Sequence, residues 1–587
     1  MTDRRDFLKM SAGAAAASLW PTAEGAFSQA RAHGAAATRP NIILILADDM
    51  GFSDIGCFGS EVSTPNLDGL AARGIRVSQF YNNPRCCPSR ASIMTGLWSQ
   101  QAGMGMMVSD HGRYPYPGYA GILSAQTITI AEALKTAGYN TAMVGKWHLA
   151  PETEEGKRSW PMQRGFDRFW GMISGASVYW ESPHLMEGNE PLPPPPPAPK
   201  GQYLTDLWAE HAAKYVTELA GEKKPFFLYA AFNAPHWPIQ APEDLVQKYA
   251  SRYAEGWDGL REERHSRQIA MKLLDPKWAL SPRDPRVPAW VNARNKKWEM
   301  RRMAVYAAMI DRLDQGIGRI LDSVEKAGVA DNTLIVFMSD NGGNAEELAR
   351  GHSDTPLQHT PEGPLHYIPP IGQGPCELGM TCAGNVPDDM PGTENTFQSI
   401  GIPWGNCANT PFRLYKHYTQ EGGISSPFIA CWPKGIRSTA NPVHAVGHET
   451  DLLPTFLELA GAQYPKSVAA GPIPAFVGQS LTPIFDGRKM EHQPIYWEHE
   501  GNKAVRDGKW KLVSRFPESW ELYDMEADRT ELHNLADMDP QRAKQMAAQW
   551  QSWADSIGVQ RWPMPETPPG ARTGEMAVPP YLEKYND

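Results

Sequence analysis

Cysteine is scarce in this chain, with 7 among 587 residues, at positions 57, 86, 87, 376, 382, 407 and 431. That density excludes a disulfide-built scaffold, and the spacing repeats no zinc-knuckle pattern. Three disulfides at most are available, and one thiol is left over. Positive charge is not in excess either: Lys plus Arg is 56 against 66 for Asp plus Glu, a net of −10. Binding along a phosphate backbone needs a basic surface, so nucleic acid is not expected as a partner. Beyond the N-terminal segment no stretch of about 18 uninterrupted apolar residues occurs, so no spanning helix and no stable membrane association are expected. There is no internal repeat. What is abundant is Gly and Pro, 52 of each, which points to a loop-rich, enzyme-like chain rather than a helical array. At roughly 150 residues per domain, the length allows three or four domains, or one large domain with a satellite.

The chain opens with Asp3-Arg4-Arg5-Asp6-Phe7-Leu8-Lys9, an Ala-rich stretch up to Trp20, and small residues between Ala26 and Ala32. Residues 1–32 resemble a twin-arginine signal peptide, which implies export by the twin-arginine machinery to a bacterial periplasm or beyond. Its removal takes away four basic and three acidic residues and moves the net charge to −11.

Short apolar runs at 41–46, 140–144, 225–231, 334–338 and 427–431 have the texture of buried strands. Between them, 127–137 and 302–327 read as helices; in the second, Val305, Met309, Leu313, Ile317, Ile320 and Val324 share one face. This alternation predicts an α/β domain over 38–490, with a large mixed, mainly parallel central sheet flanked by helices. Ligands of such sheets bind beyond the carboxyl ends of the strands. Two insertions break the rhythm: 185–202, with a polyproline stretch at 193–197, and 343–408, long enough to wall a site. Over 491–587 the texture changes to short strands around Tyr496, Val505, Leu512 and Leu522. These predict an antiparallel sheet, packed by a helix over 540–557 and followed by a Pro-rich tail.

Polar residues gather where the apolar runs end. Asp48-Asp49 follows the first and Ser339-Asp340-Asn341-Gly342 the fourth, bringing three carboxylates and an amide oxygen to one sheet edge. That is a hard-oxygen set suited to Ca²⁺ or Mg²⁺ rather than Zn²⁺, although each pair alone would read as a strand-end turn or helix cap. Gly145-Lys146-Trp147-His148-Leu149 and Asn233-Ala234-Pro235-His236-Trp237-Pro238 end two further strands. A lone His there is ordinarily a structural hydrogen-bond partner and a lone Lys a solvated charge, but these reach the edge that the carboxylates occupy.

The most informative stretch is Cys86-Cys87-Pro88-Ser89-Arg90, continuing as Ala91-Ser92-Ile93-Met94-Thr95-Gly96. Alone, the Cys pair before Pro would read as a buried turn or an incomplete metal site. Over eleven residues it resembles the signature of the type I sulfatases, within the alkaline phosphatase superfamily, and further likeness runs from Pro40 to about Ala536. Gly256 to Arg261, Met303 to Asp311 and Asn409 to Arg413 resemble the bacterial arylsulfatase branch.

The resemblance implies that a maturation enzyme converts Cys86 to Cα-formylglycine. It implies Asp48, Asp49, Asp340 and Asn341 as ligands of one divalent cation, with Ca²⁺ the usual occupant and Mg²⁺ the alternative. Arg90, Lys146, His148, His236 and Lys416, the last lying five residues before Glu421-Gly422-Gly423, complete the catalytic set. The implied reaction is hydrolysis of small aryl or alkyl sulfate monoesters. In it one hydroxyl of the hydrated aldehyde, with Asp340 as base, attacks sulfur; His236, assisted by Lys416, protonates the leaving alcohol; His148 takes the proton of the second hydroxyl to expel sulfate. Arg90 and Lys146 hold the hydrate and the sulfate oxygens. Three basic side chains and a cation outweigh three carboxylates, which makes the pocket positive inside an acidic protein and suits an anionic ester. Three rivals stay open: a carbohydrate sulfatase, a formylglycine-dependent phosphonate monoester or phosphodiester hydrolase, and an inactive sulfate-ester binding protein.

Overall fold

The computed structural model describes residues 39–564 except 109–114, 181, 183, 194–201, 349–383, 386 and 395. The expected signal peptide over 1–32, Cys376 and Cys382, all but the first proline of the polyproline stretch and the middle of the second insertion lie outside the described residues.

The strand Asn41–Ala47 (β1) explains the plan of the domain. Its side chains alternate between two cores: Ile43, Ile45 and Ala47 enter one, Ile42, Leu44 and Leu46 the other. Both faces of the sheet are therefore covered, so the strand is apolar throughout instead of alternating with polar residues. Nine more strands join it: β2 (Ile75–Tyr81), β3 (Asn140–Lys146), β4 (Arg168–Met172), β5 (Met186–Glu187), β6 (Glu190–Pro191), β7 (Phe226–Ala231), β8 (Thr333–Ser339), β9 (Phe428–Cys431) and β10 (Val443–His448). Their order is β10-β2-β9-β8-β1-β7-β3-β4-β5-β6. β1 runs parallel to both β7 and β8, and β3 parallel to β7 and β4. β9 is antiparallel to β8 and β2, which makes the sheet mixed but mainly parallel.

On one face lie the helices Leu204–Gly221 and Lys296–Lys326; on the other, Ile130–Thr136 and Leu452–Ala460. The helix Lys296–Lys326 starts before the amphipathic pattern does, because its first turns bury polar groups in pairs: Arg302 Nη1 reaches Glu299 Oε2 at 3.2 Å, and Trp404 Nε1 donates to the same oxygen at 3.0 Å. The helix expected over 127–137 begins at Ile130, since Thr129 closes a capping box: Glu132 N donates to Thr129 Oγ1 at 3.1 Å and Thr129 N to Glu132 Oε2 at 2.7 Å.

Neither insertion is purely loop. The first supplies the hairpin β5–β6 at the sheet edge, where Pro191 removes no ladder donor that a neighbour needs. The second ends in the buried helix Gly401–Ala408, whose Gly405 allows a close approach: a Cβ there would lie 2.4 Å from the Asn344 carbonyl oxygen. A two-stranded ribbon, β11 (Ser467–Val468) and β12 (Gly471–Pro472), precedes the second sheet.

That sheet is an antiparallel meander of β13 (Ile495–His499), β14 (Asn502–Asp507), β15 (Trp510–Ser514) and β16 (Glu521–Asp524). The helix Pro540–Ile557 packs on it through Met546, Trp550, Trp553 and Ala554, capped by Asp539 Oδ1 accepting from Arg542 N at 3.0 Å. Buried ionic groups join the two sheets. Glu421 accepts from Tyr81 Oη at 2.9 Å, from Lys511 Nζ at 2.9 Å and from Arg529 Nε at 3.1 Å. Trp497 Nε1 donates to the Asn82 carbonyl at 2.9 Å.

Candidate active site

Ala47 of β1 pairs with Ser339 of β8, so the residues that follow each strand are neighbours at one sheet edge. There Asp49 N donates to Asp340 Oδ1 at 3.2 Å, and Asn341 Nδ2 to Asp49 Oδ1 at 2.7 Å. β3 ends in Lys146, whose Nζ lies 2.5 Å from Asp48 Oδ2. His148 follows at φ 56, and the turn after β7 brings His236 Nε2 to 3.4 Å from Asp49 Oδ2. A Cβ on Gly175 would lie 2.2 Å from His148 Nε2, so this ring fits only because residue 175 has no side chain.

Cys86 opens the helix Cys86–Thr95 directly after β2. Pro88 falls in the first turn, where its missing N–H costs nothing, and Arg90 lies one turn beyond Cys86 on the same face. Arg90 Nη2 reaches Asp340 Oδ2 at 2.8 Å and Asp48 Oδ1 at 3.6 Å, while Nη1 donates to the Lys146 carbonyl at 2.9 Å. Lys416, in the loop that joins the helices Gly401–Ala408 and Glu421–Ile424, is buried, and its Nζ donates to Asp49 Oδ2 at 2.8 Å. Ligand atoms of Asp48, Asp49, Cys86 and His236 all lie within 4.8 Å of one another. Asp340 and Asn341 stand beside this group through their bonds to Asp49 and Arg90.

Sequence reasoning missed several members. Asn344 Nδ2 donates to Asp49 Oδ2 at 2.7 Å and to Glu346 Oε2 at 3.1 Å. Glu346 also accepts from Arg85 Nη1 at 2.7 Å and Trp237 Nε1 at 2.7 Å, and lies 3.7 Å from Lys416 Nζ. The available signal was position: both residues fall within five of Asn341, in a stretch that reads as the start of an insertion.

Burial alone would raise the Asp49 carboxyl, but Lys416 and then His236 outweigh it and hold this group well below the usual carboxylate range. Asp340 is pushed up to about 7 by burial and then by the Asp48 charge. Burial opposes the Lys416 ammonium, yet Asp49 raises its pKa above the ordinary value. His148 is held well below its usual range by burial and then Lys146, and His236 is lowered to about 3, by burial first. Both imidazoles are therefore neutral. Since His236 Nδ1 lies 2.7 Å from the Trp237 carbonyl, Nδ1 carries the proton and Nε2 the lone pair. Burial pushes the Cys86 thiol up to about 11, so an unconverted cysteine is a poor nucleophile at neutral pH.

Asp48 Oδ1 and Asn341 Oδ1 are buried and accept no hydrogen bond from the described residues. Together with Asp49 and Asp340 they make an oxygen-only donor set that fits a hard divalent cation and would hold Ca²⁺ or Mg²⁺.

A family model described as sulfatase matches residues 40–462, and one described as the C-terminal part of N-sulphoglucosamine sulphohydrolase matches 412–554. The chain is 32% identical over 553 residues to an uncharacterized sulfatase of Schizosaccharomyces pombe, covering 89% of this chain and 94% of that one. It is 32% identical over 480 residues to an arylsulfatase of Klebsiella aerogenes, covering 77% and 93%. Among solved structures, Ps i-CgsB has a similar fold, with TM-score 0.61 at 24% identity over 93% of this chain and 98% of that chain.

Proposed function

The chain belongs to the sulfatase family of sulfuric ester hydrolases, and from that premise we propose that it cleaves small aryl or alkyl sulfate monoesters at the cluster around Cys86. The observation that carries this reading is the convergence of Asp48, Asp49, Cys86 and His236 within 4.8 Å, with Lys146 and Lys416 seated on the two carboxylates. Turnover of nitrophenyl sulfate by the mature protein tests it; no turnover from protein carrying the aldehyde at position 86 would end it.

With Ca²⁺ bound and position 86 converted to a hydrated formylglycine, the pair supplies charge neutralisation and a hydroxyl nucleophile. The chain's own side chains do the rest. Lys146 and Lys416, both buried, bind the sulfate oxygens and stabilise the charge that grows as the S–O bond breaks. Asp340 accepts the proton of the attacking group at its carboxylate, which Arg90 fixes in place. The leaving oxygen receives a proton from the His236–Lys416 pair. Lys416 holds that proton at rest, and His236 Nε2 offers the lone pair through which it is relayed. His148, neutral and with no hydrogen-bond partner at Nδ1 among the described residues, takes the last proton and lets sulfate depart.

A carbohydrate sulfatase is the second reading, supported by likeness to the C-terminal part of N-sulphoglucosamine sulphohydrolase over 412–554, a span that includes Lys416 and the small sheet. Parallel turnover of aryl sulfates, sulfated sugars and phosphodiesters separates these readings and the remaining hydrolase rival.

We also propose that the protein reaches the periplasm by the twin-arginine route and is matured at Cys86 by a formylglycine-generating enzyme. Arg4 and Arg5 support export, and no helix among the described residues is long and apolar enough to cross a membrane. Replacing both with Lys should leave unprocessed protein in the cytoplasm; normal periplasmic activity in that variant would refute the route.

A further inference from the structure

Lys416 is followed by His417, whose backbone N donates to the Pro84 carbonyl at 2.7 Å, two residues before Cys86. The hairpin joining β13 to β14 presents two more chemically active side chains to this ring. His499 is the last residue of β13 and pairs with Asn502; Glu500 and Gly501 form the two-residue turn between them, at φ 48 and φ 83. Both central residues of such a turn have positive φ, which favours Asn, Asp or Gly. Glutamate gains nothing there from the turn itself.

Its carboxylate points inward. Glu500 Oε2 lies 3.4 Å from His417 Nδ1, and Oε1 lies 3.9 Å from His499 Nε2. One ligand atom from each of the three residues falls within 4.8 Å of the others. The side chains are buried, at 4%, 0% and 3% exposure for His417, His499 and Glu500, and the two rings meet edge to face with centroids 5.4 Å apart. Two imidazoles and one carboxylate differ in kind from the oxygen set around Asp48: they are the borderline N/O donors that zinc takes, in sites with three protein ligands and a fourth position for water. Zinc–ligand bonds of about 2.0–2.1 Å at tetrahedral angles place neighbouring donor atoms roughly 3.3–3.4 Å apart. The Glu500 Oε2–His417 Nδ1 spacing already equals that, while His499 Nε2 stands about half an ångström farther off, at 3.9 Å from the carboxylate's other oxygen, Oε1.

We infer that His417, His499 and Glu500 form a second metal site, selective for Zn²⁺ over Ca²⁺, which clamps the Lys416 loop to the hairpin of the small sheet. Occupancy would tie the two sheets together next to the turn that delivers Cys86, and so hold Lys416 in register. Without a metal the same groups reduce to a polar cluster, in which Asn502 Nδ2, 3.5 Å from His417 Nε2, leaves the Nδ1 proton facing Glu500.

The test uses full-length mature enzyme made without a histidine tag and kept in excess Ca²⁺ so that the oxygen site stays filled. After incubation with Zn²⁺ and gel filtration, elemental analysis should find one zinc per wild-type chain. His499→Gln and Glu500→Gln should lose that zinc while keeping Ca²⁺ and native circular dichroism. Their Zn²⁺ affinity should fall by more than the roughly 10- to 100-fold that loss of even an outer-shell partner costs. Co²⁺ in place of Zn²⁺ should give the visible absorption of a tetrahedral site in the wild type, a readout that stands even if a variant fails to fold. No zinc and no Co²⁺ spectrum in the wild type, or equal zinc in wild type and both variants, would overturn the assignment. Altered KM in the variants with no zinc in any form would also overturn it, and would place the cluster in the substrate pocket. Turnover of nitrophenyl sulfate is read separately, so either result leaves the proposed reaction standing or falling on its own.

Discussion

Lys416 Nζ and His236 Nε2 converge on one oxygen, Asp49 Oδ2, at 2.8 and 3.4 Å. A single carboxylate oxygen thus accepts from the charged donor and stands beside the neutral relay. His236→Ala and Lys416→Ala should each lower kcat/KM for alkyl sulfates by about 10²- to 10⁴-fold, the usual reach of general-acid catalysis. Nitrophenyl sulfate, whose phenolate departs without a proton, should lose much less. The check is the slope of log kcat/KM against leaving-group pKa, which should steepen in both variants. Equal losses across the series would assign the pair to sulfate binding alone.

Chelation should abolish activity and lower the melting temperature, and Ca²⁺ should restore both. Asp48, Asp49 and Asp340 are buried within one cluster, and without a cation their repulsion is balanced by Arg90, Lys146 and Lys416 alone. Scanning calorimetry of metal-free and reloaded enzyme measures the effect; unchanged activity after verified removal would contradict it.

Glu346 joins Arg85, Trp237 and Asn344 and lies 3.7 Å from Lys416. Glu346→Gln keeps the shape and removes the charge, so Lys416 and Arg85 lose a buried counter-charge. The expected result is a fall in kcat of at least about tenfold with a smaller change in KM, since a disturbed proton donor acts on the chemical step. A change confined to KM would make Glu346 a substrate-binding group.

Lys511 bridges Glu421 at 2.9 Å and Glu531 at 2.8 Å, with no exposure of any of the three charged groups. Lys511→Met leaves two carboxylates buried without their shared cation, which costs about 3–5 kcal/mol for a broken buried pair. Urea unfolding should show that loss, with the small sheet's tryptophans reporting first.

How legible the molecule was in its sequence follows from where its polar groups sit. β1, β3, β7 and β8 could be read because each carries an apolar run that leads into a motif, and the spacing of Cys86 and Arg90 is one helical turn. β2 could not. Arg76, Ser78 and Gln79 interrupt its apolar pattern, yet Arg76 Nη1 is satisfied by the Cys57 carbonyl at 2.8 Å and Ser78 Oγ by His444 Nδ1 at 2.8 Å. Asn344 and Glu346 escaped notice for a related reason. Their value lies in partners supplied by Asp49, Arg85 and Trp237, which no local pattern announces. Lys416 alone would have passed for an exposed lysine at a helix end; its burial against Asp49 is a tertiary fact.

The central claim is that position 86, and not an ordinary thiol, carries the reaction. Burial keeps an unmodified Cys86 thiol neutral, so it should be inert however well the surrounding charges are placed. The direct measurement is specific activity toward nitrophenyl sulfate plotted against the aldehyde fraction at position 86, read by mass spectrometry of the peptide as maturation is varied. A straight line through the origin is the predicted result. Substantial turnover by protein whose Cys86 is wholly unmodified thiol would contradict it.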